Sequence, residues 1–164
     1  MLMNMSEQKT GKKEARIYPL NGIRLCIDRT VGNLVGRIYS KLSKNPIPFE
    51  SSKQMILEAD DFFDHQGYPQ RFLEPRSFQK NTGTISRFHF PKQAVPDAMI
   101  LEQKGDCFTL DVIVQSRRQA GCQGIVIEPE GDFVSDFKSE LELLMILENE
   151  LKKHETGKGR MKHQ

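Results

Sequence analysis

Cys122-Gln123-Gly124-Ile125-Val126 is followed, thirteen residues beyond its glycine, by Phe137 and then Ser139. The chain has already used that spacing once: Leu34-Val35-Gly36-Arg37-Ile38 precedes Phe49 and Ser51 at the same intervals. Met55-Ile56-Leu57 then answers to Leu143-Leu144-Met145, across the same offset of 88 residues. Self-similarity at a fixed offset is the signature of one structural unit used twice. Gly36, Phe49, Ser51, Gly124, Phe137 and Ser139 are therefore read as structural anchors, three in each copy.

Working outward from the anchors gives the elements. In the first copy Ile23, Leu25 and Ile27 alternate with Arg24, Cys26 and Asp28, the period of a strand with two unlike faces. Val31-Gly32-Asn33 turns the chain, Leu34 to Tyr39 makes a second strand, and Lys41 to Pro48 reads as a polar loop containing proline. Ser51-Ser52-Lys53-Gln54 fits a capping box, so a helix starts there, carries Ile56, Ala59 and Phe63 on one face, and stops at Gly67 before Pro69. In the second copy Phe108, Leu110, Val112 and Val114 alternate with polar neighbours. Arg117 to Gly121 turns, Gln123 to Glu128 returns, and Pro129-Glu130-Gly131-Asp132 turns again. Ser139-Glu140-Leu141-Glu142 is a second capping box. Its helix carries Leu141, Leu144, Glu148 and Leu151 on one side, with Leu143, Ile146 and Leu147 broadening the apolar arc.

Each copy thus reads as ββα, over residues 22–66 and 107–151. A unit of about 45 residues cannot bury its own faces. The expectation is one α+β domain, residues 17–151, in which two ββα units share an antiparallel sheet or pack face to face. In the connector, residues 67–106, Thr84 to Phe90 alternates and Ala98-Met99-Ile100-Leu101 is apolar, so each is read as an added strand. Residues 1–16 and 152–164 are basic and poor in apolar periodicity, and are read as disordered tails.

The second copy resembles a group of small proteins from Gram-positive anaerobes to which no activity is assigned. Their pattern is a strand, Trp-Gln-Gly, a second strand, then Phe-Arg-Ser-x-x-Glu-Leu opening a helix. Cys122-Gln123-Gly124 and Phe137-Lys138-Ser139-Glu140-Leu141-Glu142-Leu143 correspond here, with Cys122, and Leu34 in the first copy, at the tryptophan's place. The resemblance implies architecture and no chemistry.

With 24 basic and 22 acidic residues the net charge is +2, which points neither toward nor away from a polyanion. Three cysteines without a CxxC pair suit a reducing compartment, and no apolar run is long enough for a membrane span or a leader. A cytoplasmic protein without membrane association is expected. Asp60-Asp61-Phe62-Phe63-Asp64 spells DDxxD, in which Asp60 and Asp64 stand one helical turn apart and can share a cation. The all-helical cavity and second metal motif that normally accompany it are lacking, so the simpler reading is an acidic turn flanking two buried phenylalanines. Neither His65 nor His89 stands beside a nucleophile motif. No catalytic residue, metal site or cofactor is assigned. Arg71, Arg76, Arg87, Arg117 and Arg118, interleaved with aromatics, are the candidate binding residues. The first expectation is a non-enzymatic interaction or regulatory module that binds a protein partner or itself as a homodimer. The alternative is a nucleic-acid-binding accessory protein using those arginines.

Overall fold

A computed structural model of the chain describes residues 16–69, 71–72, 91–118 and 121–159. The elements in order are β1 (Gly22–Arg29), β2 (Val35–Tyr39), β3 (Ile47–Phe49), α1 (Ser52–Gln66), β4 (Arg71–Phe72), α2 (Asp97–Leu101), β5 (Phe108–Arg118), β6 (Gly121–Ile127), β7 (Phe133–Phe137) and α3 (Glu140–Gly159). The fold is α+β. Six strands form one antiparallel path in the order β3-β2-β1-β5-β6-β7, and β4 pairs in parallel with the end of β5.

Of the two arrangements the sequence allows, the shared sheet is the one adopted. β1 and β5 pair along their length at its centre, from Gly22↔Ile113 to Ile27↔Phe108. Each half also has a strand that the ββα reading lacked. Ile47 and Pro48 fall in the stretch read as a loop, yet Ile47–Phe49 pairs with β2, and Phe133–Phe137 pairs with β6. Each is short, and the prolines of the first interrupt its apolar pattern. Their cross-strand partners, not their own periodicity, hold them extended.

The anchors meet one another. Gly36 lies opposite Phe49 and Gly124 opposite Phe137. A Cβ on either glycine would collide with a backbone carbonyl, of Cys26 or Ile113, and would stand 2.9 Å and 3.0 Å from the Cζ of Phe49 and Phe137. Each ring therefore lies over a position that only glycine can occupy, and both phenylalanines are 1% exposed. The same glycines pair with Ile27 of β1 and Val114 of β5, and in both strands the register shifts immediately afterwards. Both caps form as well. Ser51 Oγ accepts from Gln54 N–H and Ser139 Oγ from Glu142 N–H, at 3.1 and 3.2 Å. The Gln54 and Glu142 side chains reach back to the N–H groups of Glu50 and Lys138, which would otherwise have no acceptor. Gly67, at φ 65°, closes α1 with bonds to the Phe63 and Asp64 carbonyls.

One core joins the halves. Ile23, Leu25 and Ile27 of β1 and Phe108, Leu110, Val112 and Val114 of β5 face Met55, Phe62 and Phe63 of α1 and Leu143 and Leu147 of α3. The buried stripe of α3 is thus Leu143–Leu147–Glu150, while Leu141 and Met145 are exposed. A helix apolar on most of its circumference does not reveal which arc meets the sheet. Two further expectations are corrected. Asp97–Leu101 is a helix, α2, not a strand. Residues 152–159 continue α3, where a tail was expected, and His154 stacks on Phe108 at a ring separation of 4.9 Å. The Thr84–Phe90 alternation and residues 1–15 lie outside the described residues.

Candidate interaction surface

Alternation sends Arg24 and Asp111 to the sheet face opposite α1 and α3, where both are buried. Arg24 Nε and Nη2 donate to the two oxygens of Asp111 at 2.8 Å each, a bidentate pair. Its Nη1 donates to the carbonyls of Ile100, Leu101 and Gln103 and so caps the end of α2. Tyr18 Oη donates to Asp111 at 3.0 Å. Burial and the Asp111 carboxylate push the Tyr18 phenol well above its ordinary value, so it stays a donor. Lys41 Nζ meets Asp97 at 2.5 Å and donates to the Tyr18 carbonyl. These contacts are directed inward. They clamp residues 16–20 and 94–103 onto the sheet and leave no group aimed at a ligand.

Of the arginines expected to bind, Arg117 is the one whose side chain the described residues place. Arg117 belongs to strand β5, not to a turn, and is 3% exposed. Its guanidinium donates to Asp60 at 2.8 Å and Asp64 at 2.6 Å, and also to the Pro69 and Asp60 carbonyls. The two outer carboxylates of DDxxD do share a cation, and that cation is Arg117. Buried and neutralised, it has nothing left to offer a phosphate. Arg118 pairs through its backbone with Phe72, and Arg71 pairs with Arg117. Arg76 and Arg87 lie outside the described residues, as does His89, while His65 is exposed at the end of α1. Among the described residues no group of His, Cys, Asp and Glu is arranged to hold a metal ion, and no helix is long and apolar enough to cross a membrane.

The two ends of the strand path differ. β3 has three residues, and Pro46 and Pro48 stand within and beside it, where each removes a backbone donor. β7 has five residues and no proline. Among the described residues its outer edge has no strand beside it. Phe133 pairs with Ile127 and Asp136 with Ile125, so both side chains lie on the sheet face away from the helices. Phe133 is 65% exposed there and Asp136 is exposed beside it. The places of Ile125 and Ile127 are filled in the first half by Arg37 and Tyr39, and Arg37 is engaged by Asp28 at 2.9 and 3.0 Å.

The sequence reading missed this edge because it assigned no strand to Phe133–Phe137. Two signals were present: prolines at Pro46 and Pro48 with none at the equivalent places, and a concentration of charge. Residues 121–150 carry eight acidic side chains and one basic, Lys138, whereas residues 33–62 carry four of each. A balanced total hides a strongly acidic half.

Compared with protein-family models, with curated proteins and with solved structures, the chain matches none.

Proposed function

We propose that the chain is a non-enzymatic protein-interaction module, built on one βββα unit used twice, that engages its partner along the β7 edge. The observation that carries this reading is the asymmetry of the two edges. One is short and blunted by proline; the other is longer, free of proline, and presents a large exposed aromatic. The β7 edge is guarded less than the β3 edge: it carries one extra residue, Val134, between its pairs to Val126 and Ile127, but no proline, and an edge without proline can still serve as a template for pairing with another chain. Phe133 stands exposed beside half-buried Ile125 and Ile127 on the same face, an apolar surface that a docked strand would cover. The duplication is supported by the matching Gly36–Phe49 and Gly124–Phe137 pairs, the two register shifts and the two capping boxes. The groups whose spacing suggests chemistry, Asp60 and Asp64, are engaged with Arg117.

The test is affinity purification of the chain from its native cell after nuclease treatment, comparing wild type with Phe133→Asp. A protein recovered with wild type and lost with the folded variant supports the module. Identical recovery with both, or recovery of nucleic acid alone, overturns it.

A further inference from the structure

We infer that the β7 edge takes an extended, basic segment of a protein chain as an added strand. This rests on the reading of the chain as an interaction module and names the class of its partner. Three observations converge on it. The first is geometric: among the described residues no strand lies beside the outer edge of β7, and main-chain pairing to such an edge is how extended peptides dock.

The second is the pattern on that edge. Phe133 and Asp136 stand on the same sheet face, one apolar and one acidic, both exposed. A strand laid against β7 would place on this face an apolar residue against Phe133 and a lysine or arginine near Asp136. Asp132, exposed just before the strand, favours a further cation at that end, while exposed Lys138 follows the strand at the other.

The third is the charge of the half to which β7 belongs. Nine acidic residues against three basic ones across residues 107–151, with Asp132 and Asp136 at the edge itself, disfavour an acidic segment and equally a second copy of the same edge. The first half acts as an internal control. It has the same strand order but balanced charge, Asn45 where the second half has Phe133, and Pro48 where it has Asp136. The acidic, apolar, proline-free edge is therefore a property of this half and not a requirement of the fold.

The probe is a fluorescein-labelled eight-residue peptide, Lys-Thr-Val-Thr repeated, which as a strand presents lysine and valine on one face. Its counterpart has glutamate for lysine. With the full chain at low salt, the lysine peptide is expected to bind at least about tenfold more tightly than the glutamate peptide, weakening as salt screens the edge. Phe133→Asp should lower its affinity by about tenfold, and Asp136→Lys should reduce the preference for lysine over glutamate by a similar factor. Both residues are exposed, and unchanged thermal melts would confirm that the variants fold. No binding of the lysine peptide, equal binding of both peptides, or binding indifferent to Phe133→Asp overturns the inference. Sedimentation velocity separates the remaining occupant: a wild-type dimer dissolved by Phe133→Asp would assign the edge to a second copy. That result would sink the basic-strand inference while leaving the interaction module standing, as would a cellular partner lost with Phe133→Asp in the absence of peptide binding.

Discussion

Arg24 and Asp111 are cross-strand partners at the centre of the sheet, and they also occupy the same place in their respective halves. Arg24 lies three residues before Ile27 and Asp111 three before Val114, the two residues that pair with Gly36 and Gly124. An axis exchanging the halves would pass between them. In an assembly of two identical units that position sets a residue against itself, and a buried charge would then face a like charge. If the halves are two copies of one unit, as proposed, carrying both in one chain removes the constraint and lets the central pair be Arg against Asp.

That arrangement makes the pair unequal to its parts. Arg24→Met leaves the Asp111 carboxylate buried with Tyr18 and the more distant Arg16 as donors, and releases three carbonyls at the end of α2. It should destabilise the protein by about 3–5 kcal/mol in chemical denaturation. Adding Asp111→Leu should recover part of the loss, since no charge then stays buried. The exchange Arg24→Asp with Asp111→Arg should not restore wild-type stability, because an arginine at 111 does not stand where Arg24 caps α2.

Gly36→Ala and Gly124→Ala should each cost more than the roughly 1–3 kcal/mol usual for an inserted methyl, because the new Cβ meets a carbonyl that the sheet holds in place. Phe49→Ala and Phe137→Ala should each cost about 3–5 kcal/mol. Comparable losses in the two halves, read from denaturant midpoints, would show that the anchors do the same job twice. A loss below about 1 kcal/mol at either phenylalanine would show that ring to be peripheral.

How legible these features were depended on how locally each was determined. The Gly–Phe–Ser spacing exposed the anchors because close packing allows one residue type at Gly36 and Gly124, and that demand survives in the sequence. The caps were legible because a hydroxyl and an amide or carboxylate three residues apart satisfy each other. β3 and β7 were not, since a strand of three to five residues is held by its neighbour and not by its own pattern. Asp97–Leu101 looked like a strand through its apolar run, but its last carbonyls are taken by Arg24, a partner 76 residues or more away. The burial of Arg117 was hidden from the sequence for the same reason. Whether Arg117 faces solvent or Asp60 and Asp64 is decided by tertiary placement alone.

The Arg117 site should respond differently to loss of its cation and loss of its anions. Asp60 and Asp64 are 37% and 47% exposed, so water can solvate them when Arg117→Met removes the guanidinium. Arg117 itself is almost wholly buried and would keep only the Pro69 and Asp60 carbonyls, with no carboxylate to balance its charge. Asp60→Ala with Asp64→Ala should therefore be the more destabilising change, by about 1–3 kcal/mol over Arg117→Met. The reverse order in urea unfolding would mean that the strand end opens readily to water.

The Asp28–Arg37 pair sets an acid limit. Burial raises the Asp28 pKa, but hydrogen bonds from the Arg37 guanidinium and the Asp106 N–H outweigh it, and the net value is below that of an ordinary aspartate. A carboxyl whose pKa is depressed on folding stabilises the protein above its unfolded pKa and loses that contribution as pH falls through the folded value. Asp28 should therefore contribute fully from about pH 5 upward and progressively less below about pH 4. Arg37→Leu removes the larger of the two favourable influences, and in thermal melts from pH 6 to pH 2 the variant should lose less stability on acidification than wild type. Parallel acid profiles for the two would show that the pair is solvated in solution and that the carboxyl responsible for the acid limb lies elsewhere.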